Sequence, residues 1–305
     1  METTYDLIIL GGGAAGLTAG IYSSRAKLKT LILNEGIVGG QMILTYEIAN
    51  YPGIENVSGY QLSMTMKKQA ESFGCDIQQN IQIDQLDFSG EIKKITVGEN
   101  EYSAKAVIIA TGGRSRNLNV KGEDTFKGRG ISYCATCDGD FYTDQNIIVV
   151  GGGNSALEEA VSLTKYAKSV TIVHQFDHFQ AFEHAVELAK ANPKINFIME
   201  STIDGFYGNE KIDYVNIKNL STNEIYKKEI NGVFIFIGYA ANTEKIDGHV
   251  NLNKYGEVLA NPNMETNIKG IFVAGDVREK KVRQITTAIS DGATAAVSAI
   301  EYLQQ

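Results

Sequence analysis

A chain of 305 residues, 43% hydrophobic and 21% charged, has the composition of an ordinary folded protein and is long enough for two domains. Its formal net charge of -8 excludes the basic stripe with which a nucleic-acid binder displaces phosphate counterions. Three cysteines do not make a secreted disulfide scaffold, no apolar run approaches membrane-spanning length, and the N-terminus has no basic leader; the chain therefore reads as cytoplasmic, with neither nucleic acid nor membrane as partner.

The apolar stretch from Tyr5 to Leu10 ends in glycines, as a buried strand feeding a turn does, and a helix is expected through Arg25. A second strand, Lys29 to Leu33, completes a β-α-β unit. The same grammar returns about 140 residues later: Asn146 to Val150, then Gly151-Gly152-Gly153, a helix from Asn154 and a strand over Ser169 to Val173. Strands at Ala106 to Ala110, Gly232 to Ile237 and Gly270 to Ala274 also run into glycine-bearing turns. The expected class is α/β, with two Rossmann-like dinucleotide-binding domains, the second inserted in the first. The expected boundaries are 1–113 with 244–305 for the first, discontinuous domain and 114–243 for the central one.

The first turn has the form Gly11-x-Gly13-x-x-Gly16, with Ala14 and Ala15 opening the helix. Backbone N–H groups and the helix dipole there suit a pyrophosphate. Glu35, 19 residues beyond Gly16, is placed to accept hydrogen bonds from a ribose hydroxyl. Between the two turns lies Ser132-Tyr133-Cys134-Ala135-Thr136-Cys137-Asp138-Gly139, a cysteine spacing that lets a reversible disulfide close. A zinc site would need further ligands, whereas Cys75 stands alone and histidines occur only at 174, 178, 184 and 249; no metal is expected.

Taken together, Gly11 to Gly16, Gly39-Gly40-Gln41, Asn50-Tyr51-Pro52-Gly53, Ala110-Thr111-Gly112, the Cys134 to Gly139 segment and Gly275-Asp276 with Arg283-Gln284 resemble the low-molecular-weight thioredoxin reductases. The resemblance spans nearly the whole chain. It implies FAD on the first domain, held by the first turn and by Thr111 and Gly112, with Gly40, Gln41, Asn50, Asp276, Arg283 and Gln284 along the ribityl and isoalloxazine portions. It also implies thioredoxin as substrate and a homodimer. In the family pattern Cys137 faces the flavin, Cys134 attacks the partner disulfide, and Asp138 is the acid, a role that requires a pKa raised by burial or by neighbouring negative charge.

The second turn, Gly151-x-Gly153-x-x-Ala156, keeps the pattern, but the segment after the next strand departs from it. NADPH-using members carry arginines whose guanidinium groups hold the 2′-phosphate, and here Gln175, Phe176 and Gln180 stand in their places. His174 occupies the position where an NADH enzyme would carry an acid. Neither NADPH nor NADH is therefore expected, and the chain resembles the ferredoxin-dependent flavin thioredoxin reductases. Arg278, Lys280 and Lys281 are candidates for a local positive surface toward an acidic ferredoxin. Three alternatives remain at this point: an NADPH-dependent reductase with an unconventional nucleotide site, a ferredoxin–NADP reductase, which leaves the cysteines unexplained, and a non-enzymatic flavin-dithiol redox sensor.

Overall fold

The computed structural model describes residues 2–45 and 48–305, together with all their side chains except those of Glu2 and Leu44; Met1, counted above in the first domain, lies outside them. The chain forms two compact units, Met1–Arg114 with Ala240–Gln305, and Ser115–Tyr239.

In the first unit, Glu2–Leu10 pairs in parallel with Thr30–Asn34 on one side and Asn100–Ile109 on the other. Asp76–Gln79 extends the sheet beyond Thr30–Asn34, and Ile271–Val273 adds in parallel to the end of Asn100–Ile109. The antiparallel strands Lys93–Val97 and Gln85–Asp87 complete seven. Leu7, Ile8 and Ile9 are fully buried because helices and loops cover both faces of a parallel sheet, which explains their continuous apolar run. The helices Ala14–Arg25 and Ile285–Leu303 pack closely. A Cβ at Gly292 would lie 2.2 Å from the Ala15 carbonyl oxygen, so only glycine permits this approach.

The second unit has five parallel strands in the order Ile195–Ile198, Ser169–Val173, Asn146–Val150, Gly232–Ile235 and Ile131–Ser132. Alternation divides its core. Ile147 and Val149 face a cluster with Leu157, Ala160 and Leu163 of the helix Asn154–Leu163. Ile148 and Val150 face Ile203, Phe206, Val215 and Ile217 of an antiparallel meander, Ser201–Gly208, Ile212–Asn219 and Ile225–Glu229. No helix among the described residues is long and apolar enough to cross a membrane.

Candidate functional site: an open glycine turn and a closed dithiol

The first turn is built by its backbone. Gly11 sits at φ +107, where a Cβ would lie 2.3 Å from the Ala110 carbonyl oxygen, and a Cβ at Gly16 would lie 1.9 Å from the Gly11 carbonyl oxygen. These glycines close the turn against its neighbours. Gly13 leaves it open, since a Cβ there would meet only Gly40 Cα at 4.0 Å, and at Gly112 nothing lies within 4 Å. Gly13 caps the helix Ala14–Arg25 without any side-chain bond, so the first helical N–H groups have no side-chain acceptor from the cap. Buried Ala14 and Ala15 keep this end slim. Such a cradle of small residues at a helix N-terminus fits the pyrophosphate of FAD.

The surrounding residues from the sequence divide into two groups. Asn50 Nδ2 donates to Gln284 Oε1 at 3.2 Å, bringing together residues 234 apart. Gly40 packs on Gly13 and opens the 3-10 turn Gly40–Leu44, which carries exposed Gln41. Thr111 donates its hydroxyl to the Asn242 carbonyl at 2.7 Å, and Asn242 Nδ2 returns a bond to the Thr111 carbonyl at 2.9 Å. Glu35, by contrast, turns outward: its Oε1 accepts the Ile83 N–H at 2.9 Å and pairs with Lys245. Its neighbour Asn34, unremarked in the sequence, accepts the Gly12 N–H at 2.8 Å, beside the Val38 side chain at the same glycine. Arg283 is ion-paired with Glu257.

A buried carboxylate that the sequence did not reveal organises the segment carrying Asp276. Asp291 accepts from Gly275 N at 3.1 Å, Arg278 Nε at 3.0 Å and Lys280 Nζ at 2.7 Å. Although burial pushes its carboxyl up, the bonds from Arg278 and Lys280 prevail and hold it below the usual range. Asp276 is pushed up by burial, with the Lys280 charge opposing. Of the three expected surface cations, Arg278 and Lys280 are thus engaged with Asp291, the Lys280 side chain being only 7% exposed, and Lys281 remains exposed.

In the second unit Cys134 and Cys137 form a disulfide, with Cα atoms 5.3 Å apart. The helical turn Ala135–Asp138 makes the pairing local: Cys134 caps it and its Sγ accepts the Cys137 N–H at 3.2 Å. Asp138 is half-buried, and burial raises its carboxyl above the ordinary range, Asp140 adding to the rise and the bond from Ser132 opposing it. Tyr142 is pushed up to about 12, by burial first and then by the Asp138 charge. Tyr133 donates to buried Glu123 at 2.7 Å, and Glu123 also accepts the N–H groups of Leu118 at 3.0 Å and Asn119 at 2.7 Å. Glu123 thereby fixes the residue that precedes the dithiol, a contact no local spacing announces. Among the described residues no three metal-ligating side chains gather as a metal site.

The second turn lies under the loop after its partner strand Ser169–Val173. Gln180 N donates to the Gly152 carbonyl at 2.8 Å, and Asn154 Oδ1 accepts the Phe182 N–H at 2.7 Å. His174 is buried flat over the turn, so that a Cβ at Gly152 would lie 2.4 Å from its ring, and burial lowers its pKa. Gln175, Phe176 and Gln180 are exposed along the same loop, which holds no lysine or arginine from 174 to 182.

Residues 5–292 match the family described as pyridine nucleotide-disulphide oxidoreductase. A thioredoxin reductase from Peptoclostridium acidaminophilum is 42% identical over 100% of this chain and 98% of its own. The crystal structure of thioredoxin reductase from Streptococcus pyogenes superposes with a TM-score of 0.95 at 40% identity, over 99% of this chain and 98% of that one. A ferredoxin-flavin thioredoxin reductase from Clostridium acetobutylicum is a more distant neighbour, with a TM-score of 0.54 at 27% identity over 100% of this chain and 99% of that one. An open dinucleotide turn, a disulfide with an adjacent buried acid and full-length likeness of this degree place the chain in the pyridine nucleotide-disulphide oxidoreductase family, within its low-molecular-weight, FAD-binding thioredoxin reductase group.

Proposed function

We propose that this chain reduces the disulfide of thioredoxin through Cys134 and Cys137, with electrons that reach its FAD from reduced ferredoxin rather than from NADPH or NADH. FAD, when bound, supplies a reductant that takes electrons singly or in pairs. The backbone of Gly11, Gly13, Ala14, Ala15 and Gly16 would hold its pyrophosphate. Gly40, Gln41, Asn50, Thr111, Gly112, Asp276, Arg283 and Gln284 would line the remainder, and Glu35, whose Oε1 is held by the Ile83 N–H and Lys245, would offer the ribose its Oε2. Cys134 attacks the thioredoxin disulfide, Cys137 resolves the mixed disulfide, and Asp138 supplies the proton when the pair is next reduced. The protein acts as a cytoplasmic homodimer in this reading.

The observation that carries the choice of donor is the loop over the second turn. Its exposed positions are Gln175, Phe176 and Gln180, and no cation lies between His174 and Phe182. Each missing guanidinium–phosphate bond forfeits about 1.5–3 kcal/mol, so NADPH would bind weakly. The presence of a ferredoxin-flavin thioredoxin reductase from Clostridium acetobutylicum among the structural neighbours supports the reading. One observation favours NADPH instead: the helix Asn154–Leu163 keeps a glycine cap with no side-chain bond, as a pyrophosphate site requires.

Stopped-flow mixing of the oxidised flavoprotein with NADPH, NADH or reduced ferredoxin separates the two. Bleaching of the flavin band by ferredoxin alone is expected. Rapid bleaching by NADPH at micromolar concentration would overturn the donor assignment and leave the thioredoxin reading intact.

A further inference from the structure

We propose that Ser132 is the positioning residue of the dithiol's acid, its hydroxyl turning between two acceptors as Asp138 gains and loses its proton. The inference rests on the reading of Asp138 as proton donor and goes beyond it, because it states how a half-buried carboxyl is kept satisfied in both of its protonation states.

Ser132 ends the short strand Ile131–Ser132 and is 5% exposed. Its Oγ lies 2.5 Å from Asp138 Oδ2 and 3.3 Å from the Cys134 carbonyl oxygen, and it accepts the Cys134 N–H at 3.1 Å. A hydroxyl has one proton to give and two lone pairs to offer. With Asp138 ionised, Ser132 donates to its carboxylate. With Asp138 protonated, the acid donates to Ser132 Oγ, and the serine proton turns to the Cys134 carbonyl. The Cys134 N–H keeps its acceptor throughout. The Ser132 hydroxyl, Asp138 Oδ2 and the Cys134 N–H are paired in both states, at the cost of one hydroxyl rotation, and no backbone atom needs to move.

When the Cys134–Cys137 bond takes up two electrons, as FAD bound to the first unit would supply, it opens to two thiolates, and one of them takes the proton that Asp138 releases. The carboxylate left behind is partly withdrawn from water, and Ser132 turns to it as the charge appears. The other groups around Asp138 do not serve this purpose. Asp140 and Tyr142 lie on the adjoining 3-10 turn Gly139–Tyr142, where Asp140 disfavours the charge, while Glu158 and Glu159 sit on the neighbouring helix Asn154–Leu163. None of these is a cation.

The test is a pH series on the flavoprotein, photoreduced so that no natural donor is needed, with the rate of dithiol formation followed by thiol trapping after the flash. In wild type the rate falls on the alkaline side as Asp138 loses its proton. Ser132→Ala removes the donor to the carboxylate, so the acid holds its proton more tightly: the alkaline limb moves up by about one pH unit and the plateau rate falls about tenfold. Ser132→Thr, which keeps the hydroxyl, restores the wild-type limb. A limb unmoved in Ser132→Ala but removed in Asp138→Asn overturns the role of Ser132 and leaves the acid assignment standing. A limb that persists in Asp138→Asn overturns the acid assignment itself. Should Ser132→Ala not fold, Ser132→Gly is titrated in its place and read by the same criteria.

Discussion

The two glycine-rich turns share a sequence pattern and differ in what lies on them. In each, a strand runs through glycines into a helix whose cap makes no side-chain bond. At the first, Asn34 from the end of the next strand reaches the turn through one hydrogen bond to the Gly12 N–H and leaves Gly13 open. At the second, the residue after the corresponding strand is His174, whose buried ring covers Gly152, and the chain continues as a loop whose Gln180 and Phe182 N–H groups donate to the Gly152 carbonyl and to Asn154 Oδ1. The two turns are alike at the cap glycine, where a Cβ would meet nothing nearer than 4.0 Å at Gly13 and 3.8 Å at Gly153. They differ one residue earlier, where the His174 ring would lie 2.4 Å from a Cβ at Gly152, while Val38 and Asn34 would lie 3.2 and 3.3 Å from one at Gly12. The shared glycine pattern fixes the backbone, and the end of the next strand sets which side chain lies on it.

The largest effect should come from closing the first turn. Gly16→Val places a side chain against the Gly11 carbonyl oxygen, where even a Cβ has only 1.9 Å, and FAD affinity is expected to fall more than about 100-fold, read as loss of flavin absorbance in the purified protein. At Gly153 the nearest atom to a Cβ is 3.8 Å away, and Gly153→Val should leave the flavin content unchanged. If both substitutions lower the flavin content alike, the assignment of FAD to the first turn is wrong. Restoring arginine at 175, 176 and 180 should lower the NADPH concentration needed to bleach the flavin by about 100-fold or more, given about 1.5–3 kcal/mol for each charged bond. No gain would mean that the covered turn, not the missing charge, keeps the nucleotide out.

A smaller change is expected from Asn34→Ala, which strips the acceptor from the Gly12 N–H. About 1–2 kcal/mol is at stake, so FAD should dissociate roughly tenfold faster. The smallest effect is a pH dependence that belongs to the second turn alone. Burial lowers the pKa of His174, so the unfolded chain binds its proton more readily than the folded one. The corresponding stability is present above the ordinary histidine value and is lost as pH falls through the lowered folded value. Melting temperatures measured from neutral pH downward should fall more steeply for wild type than for His174→Gln, and parallel curves would show that the ring titrates freely.

The parallel strands were legible because burial on both faces leaves an unbroken apolar run, as in Leu7 to Leu10 and Ile147 to Val150, and the glycines after them mark where the chain must turn. The meander over Ser201–Gly208, Ile212–Asn219 and Ile225–Glu229 was not. Its strands bury one face only, so Val215 and Ile217 alternate with Tyr214, Asn216 and Lys218, and the third strand is almost wholly exposed. At the dithiol, the pairing of Cys134 with Cys137 and the nearness of Asp138 were readable because all three lie within one helical turn or at its cap. Glu123 and Asp291 were not, since their hydrogen-bond partners lie 4 to 16 residues away and a single carboxylate in a sequence carries no sign of burial.

The chain's own order of residues determined the two dinucleotide-type units, the disulfide with the Asp138 carboxyl next to it, and the absence of guanidinium groups from the loop after Val173, because each of these is a property of neighbours along the backbone. Tertiary structure alone decided which side chain meets each turn: Asn34 at the first, His174 at the second. It also decided that Arg278 and Lys280 serve Asp291 instead of the surface. Burial and pairing of a charge depend on what the fold brings against it, and no spacing within the chain records that.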